Sequence, residues 1–295
     1  MSPLAALLGA QGLFGLFFLA AWGSRIREIR RTHDAPEGAL RAPTAAGLGV
    51  GAVTNFFDTL GIGSFATTTT FYRLMGSVDD RLLPGTLNVG HTLPTLFQAF
   101  IYIVVIDVDV VTLVAMVAAA TIGAWLGARI VAGLSRRHVQ LGLGSALVVA
   151  AGIMVARQLE LVPGGGDALG VTGVRLALAV AGNFLLGALM TLGIGLYAPC
   201  MMLVSLLGMN PRAAFPIMMG SCAFLMPVAS ARFVRAGAYD LRASLGLALG
   251  GPPAVLVAAF LVRELPLDWV KWLVVIVITF TGINLVRAGV RGSDE

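Results

Sequence analysis

The sequence predicts an all-α polytopic membrane protein: an inverted-topology repeat of two four-span units, each with a Gly-broken re-entrant helical hairpin, plus one extra N-terminal helix. Three observations carry this expectation. The chain is 58% hydrophobic and only 12% charged, with a mean hydropathy of +0.90, whereas soluble domains carry about twice that share of charge. The string Thr-Leu-Gly-Ile-Gly occurs at 59–63 and again at 191–195, and the same offset pairs Ala66 with Ala198, Leu74 with Leu206, Gly76 with Gly208 and Pro84 with Pro216. Glycines and prolines matched at one offset mark an internal duplication. Finally, the twenty basic residues sort by side of the membrane only if the two segments holding the repeated string turn back on themselves.

Taken in order, residues 3–22 form an apolar run followed by Arg25, Arg27, Arg30, Arg31 and Arg41. No positive region precedes the run, so it reads as a retained helix with a cytoplasmic C-terminal flank rather than a cleaved signal. Residues 1–43 are accordingly set apart as an N-terminal helix and basic cytoplasmic loop. Segment 45–75 is too long for one crossing of about 30 Å and too short for two. Its centre holds Gly61-Ile62-Gly63, and non-helical backbone at membrane depth is tolerated only where protein shields it or a cavity is lined. A hairpin of two half-helices follows. Spans at 86–106, 110–132 and 138–157 complete a first repeat over 44–157.

The Gly-rich stretch 158–173, with Pro163-Gly-Gly-Gly-Asp167, is read as an extracytoplasmic linker. A second repeat, 174–295, opens with the long segment 176–208, broken at Gly193-Ile194-Gly195, and continues with spans at 213–234, 241–262 and 267–288. With both hairpins returning to the side they entered, only Arg157, Arg175, Arg212, Arg263 and Lys271 of the twenty basic residues fall outside; a single crossing at each would place the Arg136–Arg137 loop outside, against the positive-inside rule. Three crossings separate the hairpins, so the repeats run in opposite senses.

Composition also narrows the function. Nineteen of the twenty basic residues are arginine, set by topology and without the aromatic interleaving of an RNA-binding surface. There is no phosphate-cradling loop with its Lys-Ser/Thr, so ATP is not the direct driver; no cofactor, metal site or catalytic residue is expected. Cys200 and Cys222 lie in apolar runs and read as buried thiols. Paired Gly-interrupted segments in corresponding halves point to a transporter with its site at the breaks.

The second half-helix of each hairpin would start at the midplane, near Ser64 and near Leu196. Helix N-termini present unpaired N–H groups and partial positive charge, a setting for an anion. The expected substrate-binding residues are Asn55, Thr59, Gly61, Gly63, Ser64, Thr67, Thr68 and His91 from the first copy, and Thr191, Gly193, Gly195, Tyr197 and Cys200 from the second. The run Thr67–Thr70 has a plainer reading, since its hydroxyls can bond back to the helix. Asn88, His91, Thr92, Thr95, Gln98 and Tyr102 form a stripe on one helix face, either a wet path or a structural network. Asp58, with His91, is a candidate for proton coupling; capping of the loop, or pairing with an arginine such as Arg73, is the structural alternative.

These motifs resemble the sulfite exporter TauE/SafE family. Thr191-Leu-Gly-Ile-Gly-Leu-Tyr-Ala-Pro199 followed by Gly208-Met-Asn-Pro-Arg-Ala-Ala-Phe-Pro216 resembles it most, and the likeness runs over about 45–288. The first copy departs, with Thr67 where the second has Pro199. The resemblance implies secondary transport of sulfite, thiosulfate or an organosulfonate such as sulfoacetate, with the lipid bilayer and possible oligomer mates as partners, protons as the coupling ion to consider, no nucleic acid, and multi-pass residence in the inner membrane of a prokaryotic cell with 24–43 cytoplasmic. An anion channel and a carrier of other small organic anions stay open. An intramembrane hydrolase is the remote alternative: Asp167 and Asp240 fall in loops on opposite sides, and Ser64 would have only His91 as base.

Overall fold

A computed structural model describes residues 3–32, 40–130, 135–161, 166–190 and 195–291. Within them the chain is helical: α1 (Pro3–Thr32), α2 (Ala45–Thr59), α3 (Ser64–Met75), α4 (Leu83–Val105), α5 (Val110–Ile130), α6 (Arg136–Gln158), α7 (Gly173–Met190), α8 (Tyr197–Leu206), α9 (Ala214–Ala236), α10 (Leu241–Glu264) and α11 (Leu267–Arg291), with a 3-10 turn at Pro211–Ala213. The isolated bridge Ala168–Met209 is the one strand-like pairing among the described residues. Seven stretches are long and apolar enough to cross a membrane: α1, α4, α6, α7, Pro211–Ala236, α10 and α11. The protein is therefore a multi-pass membrane protein.

One boundary differs from expectation. The first helix does not stop at Trp22; it runs 30 residues, so Arg25, Arg27, Arg30 and Arg31 project from a helix rather than a loop. No glycine or proline interrupts 24–32, and the ion pair of Arg25 with Glu28 one turn on, at 2.8 Å, favours continuation. In the second copy α7 has 18 residues, about 27 Å of helix, and α8 has 10. The first pair is more even, at 15 residues for α2 and 12 for α3.

Local chemistry fixes the remaining ends. The Thr44 hydroxyl caps α2 by accepting the Gly47 N–H at 2.9 Å. Asp109 caps α5 through the Thr112 N–H and hydroxyl, both at 2.8 Å, and Asp240 caps α10 through the Ala243 N–H. The ends of α3 and α8 are closed by one and the same device. Gly76 N–H donates to Arg73 O and Ser77 N–H to Tyr72 O; Gly208 N–H donates to Ser205 O and Met209 N–H to Val204 O. Every atom of the second set lies 132 residues after its counterpart. Gly76 and Gly208 both hold positive φ, 57° and 82°, which glycine adopts without a Cβ penalty.

The chain forms two compact units, residues 1–101 with 222–261, and 102–221 with 262–295. In the first, α2 meets α10 backbone to backbone: a Cβ on Gly51 would stand 2.7 Å from Gly246 O, and one on Gly250 2.2 Å from Leu48 O. Small residues permit such approaches where helices associate in lipid by packing rather than by the hydrophobic effect. α1 closes this unit by seating Phe18 and Trp22 among Val89, Val234, Tyr239 and Leu241. Gln11, fully buried on this otherwise apolar helix, donates to Leu96 O at 2.9 Å. Gln11→Leu should lower the unfolding free energy by about 0.6 kcal/mol, the usual worth of a hydrogen bond between membrane helices, measurable as a small fall in melting temperature in detergent. An unchanged melt would show that α1 docks by shape alone.

In the second unit α5 meets α7 in the same manner. A Cβ on Gly123 would lie 2.0 Å from Phe184 O, and one on Gly187 2.1 Å from Ala120 O. α6 runs against α11, with Gly144 facing Gly282 and Arg137 donating to Gly289 O at 3.1 Å.

Candidate functional site

The chemistry of the first unit gathers where its helices are interrupted. α2 ends at Thr59 and α3 begins at Ser64. Between them Gly61 and Gly63 hold φ of 94° and 86°, in the left-handed region that costs a side-chain-bearing residue roughly 1–2 kcal/mol. The break foreseen at Gly61–Gly63 is present. Pro94 lies inside α4, and Pro252 and Pro253 lie inside α10. Each proline removes one helical hydrogen bond and releases the carbonyl four residues before it. Gly251 of α10 lies against both Pro94 and Asn55, so α2, α4 and α10 meet at a common centre.

That centre is polar and buried. Thr54, Asn55, Thr59, Thr68, His91, Thr92 and Gln98 are fully buried, and Asp58 is 2% exposed. Asn55 donates from Nδ2 to Gly51 O at 2.7 Å, and its Oδ1 meets His91 Nδ1 at 2.9 Å. His91 Nε2 meets the Thr68 hydroxyl at 3.0 Å, and Phe65 stacks on the ring with centroids 5.9 Å apart. Asn55 Oδ1 can only accept, so Nδ1 carries the imidazole hydrogen and the Thr68 hydroxyl donates to Nε2. His91 is thereby bonded at both nitrogens, and α2, α3 and α4 are tied through one ring.

A second thread runs beside the first. Asp58 Oδ1 accepts the Ser64 N–H at 2.6 Å, so this carboxylate caps the N-terminus of α3. Gln98 Nε2 donates to Asp58 Oδ2 at 2.9 Å and to the Thr59 hydroxyl at 3.0 Å, while that hydroxyl donates to Asn55 O at 2.7 Å. Gln98 Oε1 is buried and has no hydrogen-bond partner. Of the two structural alternatives for Asp58, loop capping is observed. Pairing with Arg73 is not, because that guanidinium bonds Asp80 at 2.9 Å.

The structure sorts the other expected residues as follows. Thr67, Thr69 and Thr70 bond back to Ser64 O, Phe65 O and Ala66 O, the plainer reading, and Thr68 alone of the run reaches another helix. On the α4 stripe His91, Thr92, Thr95 and Gln98 are buried, Thr92 bonds Ser230 of α9 at 2.7 Å, and Asn88 bonds back to Pro84 O. In the second unit Gly195 is exposed, Tyr197 opens α8 half-buried, and Cys200 is buried a turn later. Asn183 of α7 is fully buried and donates to Met116 O at 2.7 Å and to Ser221 at 3.2 Å. Thr191 and Gly193 lie outside the described residues.

Gln98 is not among the residues that the sequence marks for the site. The signal was available, since Gln98 follows His91 at i+7 on the same stripe, but nothing local to α4 says that Asp58 lies beside it. Among the described residues no group of three His, Cys, Asp or Glu could hold a metal ion.

These buried polar residues gather inside an apolar multi-pass bundle, where polar side chains are costly. The model of the sulfite exporter TauE/SafE family matches residues 3–154, and the chain belongs to that family, one of membrane transporters. The match takes in α1, which sequence analysis set apart, and covers the first copy of the repeat rather than the second that had resembled the family most. Searches of curated proteins and of solved structures returned no match.

Proposed function

We propose that the protein is a secondary transporter of a small sulfur-containing anion: sulfite, thiosulfate or an organosulfonate such as sulfoacetate. The observation that carries this reading is the cluster at the first break, where Asn55, Asp58, Thr59, Ser64, Thr68, His91 and Gln98 are all buried at 4% exposure or less in an apolar bundle. Burying so many polar groups in a membrane protein is costly without a use. The N-terminus of α3 supplies an anion-attracting dipole, and the glycines at 61 and 63 let backbone approach a ligand closely. α8 offers a second such helix end, headed by Tyr197. The equal offset of the α3 and α8 caps, together with α2 pairing with α10 and α7 with α5, supports two duplicated halves. Inverted topology and re-entry at both breaks complete the proposed architecture.

A thermal-shift screen of the purified protein tests the substrate class. Sulfite, thiosulfate, sulfoacetate, sulfate and carboxylate analogues are compared, since a ligand specific for the native state raises its stability by mass action. The sulfur anions should raise the melting temperature and the carboxylates should not; equal shifts from all would move the reading to a general organic-anion carrier. Tyr197→Phe should weaken binding by roughly ten- to hundredfold, as expected for a lost hydrogen bond to a charged partner, and unchanged affinity would remove Tyr197 from the site. For orientation, external labelling of single cysteines in a chain lacking Cys200 and Cys222 should modify position 165 and spare position 136. The reverse pattern would invert the proposed topology.

A further inference from the structure

The outward face of α1 changes character once along its length. Leu13, Leu16 and Ala20 are exposed there, and so are Ser24, Arg27 and Arg31. At 3.6 residues per turn these six positions fall within about an 80° sector. Apolar side chains line the face as far as Ala20, and a hydroxyl and two guanidiniums line it from Ser24 onward. The apolar run 3–22 measures about 30 Å as a helix, the thickness of the hydrocarbon core. Ser24 and Arg27 therefore stand about 3–8 Å beyond its edge. That is the depth of the lipid headgroups, which occupy about 5–8 Å on each side of the core.

A cavity of about 360 Å³ opens at this level, lined by Ser24, Arg27, Glu28, Arg31 and Thr32, within the size range of small-ligand sites. Its chemistry is rich in donors. Arg27 folds back along the helix, giving Nε to Gly23 O at 3.3 Å and Nη2 to Ser24 Oγ at 3.2 Å. Three of its five N–H donors are left over, and Ser24, which accepts in that bond, keeps its hydroxyl hydrogen to give. Arg31 has no hydrogen-bond or ion-pair partner among the described residues. Glu28, the one acid of the lining, is met by Arg25 at 2.8 Å, so residues 24–32 set four arginines against one glutamate. The negative end of the helix dipole acts within the last turn, beyond Ser24 and Arg27.

We propose that this face of α1 binds one anionic phospholipid of the phosphatidylglycerol type, its phosphate held by Ser24, Arg27 and Arg31 and an acyl chain lying along Leu13, Leu16 and Ala20. A phosphodiester offers only acceptors to a set that offers only donors, and guanidinium meets phosphate with two parallel bonds. The acyl chain accounts for the apolar half of the same face, which a free anion would leave unused. A second copy of the chain packed symmetrically on this face would bring arginine against arginine, and such like-charge juxtaposition is costly. Bound there, the lipid braces the end of α1 just beyond Trp22, which seats among Val89, Val234 and Tyr239. This inference does not rest on the transport reading.

The test uses the full-length protein in a non-ionic detergent, with melting curves and native mass spectrometry. Phosphatidylglycerol should raise the melting temperature by mass action more than phosphatidylcholine with the same acyl chains, and one phosphatidylglycerol should stay bound in the spectrum. Arg27→Gln combined with Arg31→Gln should weaken that binding by about thirtyfold, the usual contribution of two arginines near an anionic headgroup. Without lipid the double variant should melt with wild type, because both side chains are exposed. Arg263→Gln, exposed at the end of α10, should bind the lipid as wild type does. Equal shifts from the two lipids, or binding undiminished in the double variant, overturn the proposal. So does inorganic phosphate that reproduces the whole shift, which makes the site one for free anions. A lipid-independent dimer that is lost in the double variant also overturns it, and gives the face to a second copy of the chain. The transport reading stands or falls separately, on the anion screen.

Discussion

Gly187→Val should leave little or no folded protein. The first carbon added at Gly187 would lie 2.1 Å from the carbonyl oxygen of Ala120 and 2.8 Å from its Cα, so α5 itself, not a pliable side chain, would have to withdraw. Overpacking of well-packed interiors costs about 1–3 kcal/mol when side chains can adjust; here backbone must move, against a total stability of about 5–15 kcal/mol. Gly142→Val is the matched control, because Gly142 has open space around its missing Cβ. Size-exclusion profiles and melting curves of the two variants in detergent give the answer. Equal stability would mean that α5 and α7 do not approach so closely.

Asn55→Leu should be the most damaging change at the candidate site. It deletes the bond to Gly51 O and leaves His91 Nδ1, fully buried, without its acceptor at 2.9 Å. One stranded buried donor costs about 1–3 kcal/mol, and the tie from α2 to α4 is lost as well. The double variant Asn55→Leu with His91→Phe should recover part of the stability, because replacing both partners by apolar groups removes the unsatisfied atom. Neither variant should bind the sulfur anion. If the single variant melts with wild type, the Asn55–His91 bond is not part of the folded protein.

Much of this fold is legible in the sequence because its signals are local. Apolar runs mark α4, α6, α9, α10 and α11 to within a few residues, and the Gly61–Gly63 break follows from two glycines in an overlong segment. The end of α1 was misjudged because the rule used was one of hydropathy; arginines end an apolar run without ending a helix. Within the site, Asp58 announces itself as a carboxylate in an apolar stretch. That it caps α3 and meets Gln98, forty residues on, depends on how α2, α3 and α4 pack, and no spacing rule encodes that. The threonine run shows the converse: four like residues in a row, of which packing selects only Thr68 to reach across to His91.

The pairing of α2 with α10 has a bearing on how the protein is made. Gly51 and Gly246 touch in the finished molecule, yet 195 residues separate them along the chain, the difference of the two numbers. At about 5–20 residues per second, the ribosome needs about 10–40 s to deliver α10 after α2 has emerged. For that interval the small-residue face of α2, with Asn55 and Asp58 on the same helix, has no permanent partner. Synthesis of this chain therefore includes a waiting period in which a polar, half-finished bundle has to be held at the membrane by insertion machinery or by lipid. Pulse-labelled chains truncated before residue 241 should be degraded rapidly, and separate expression of residues 1–161 and 166–295 should yield stable protein only when both pieces are present together.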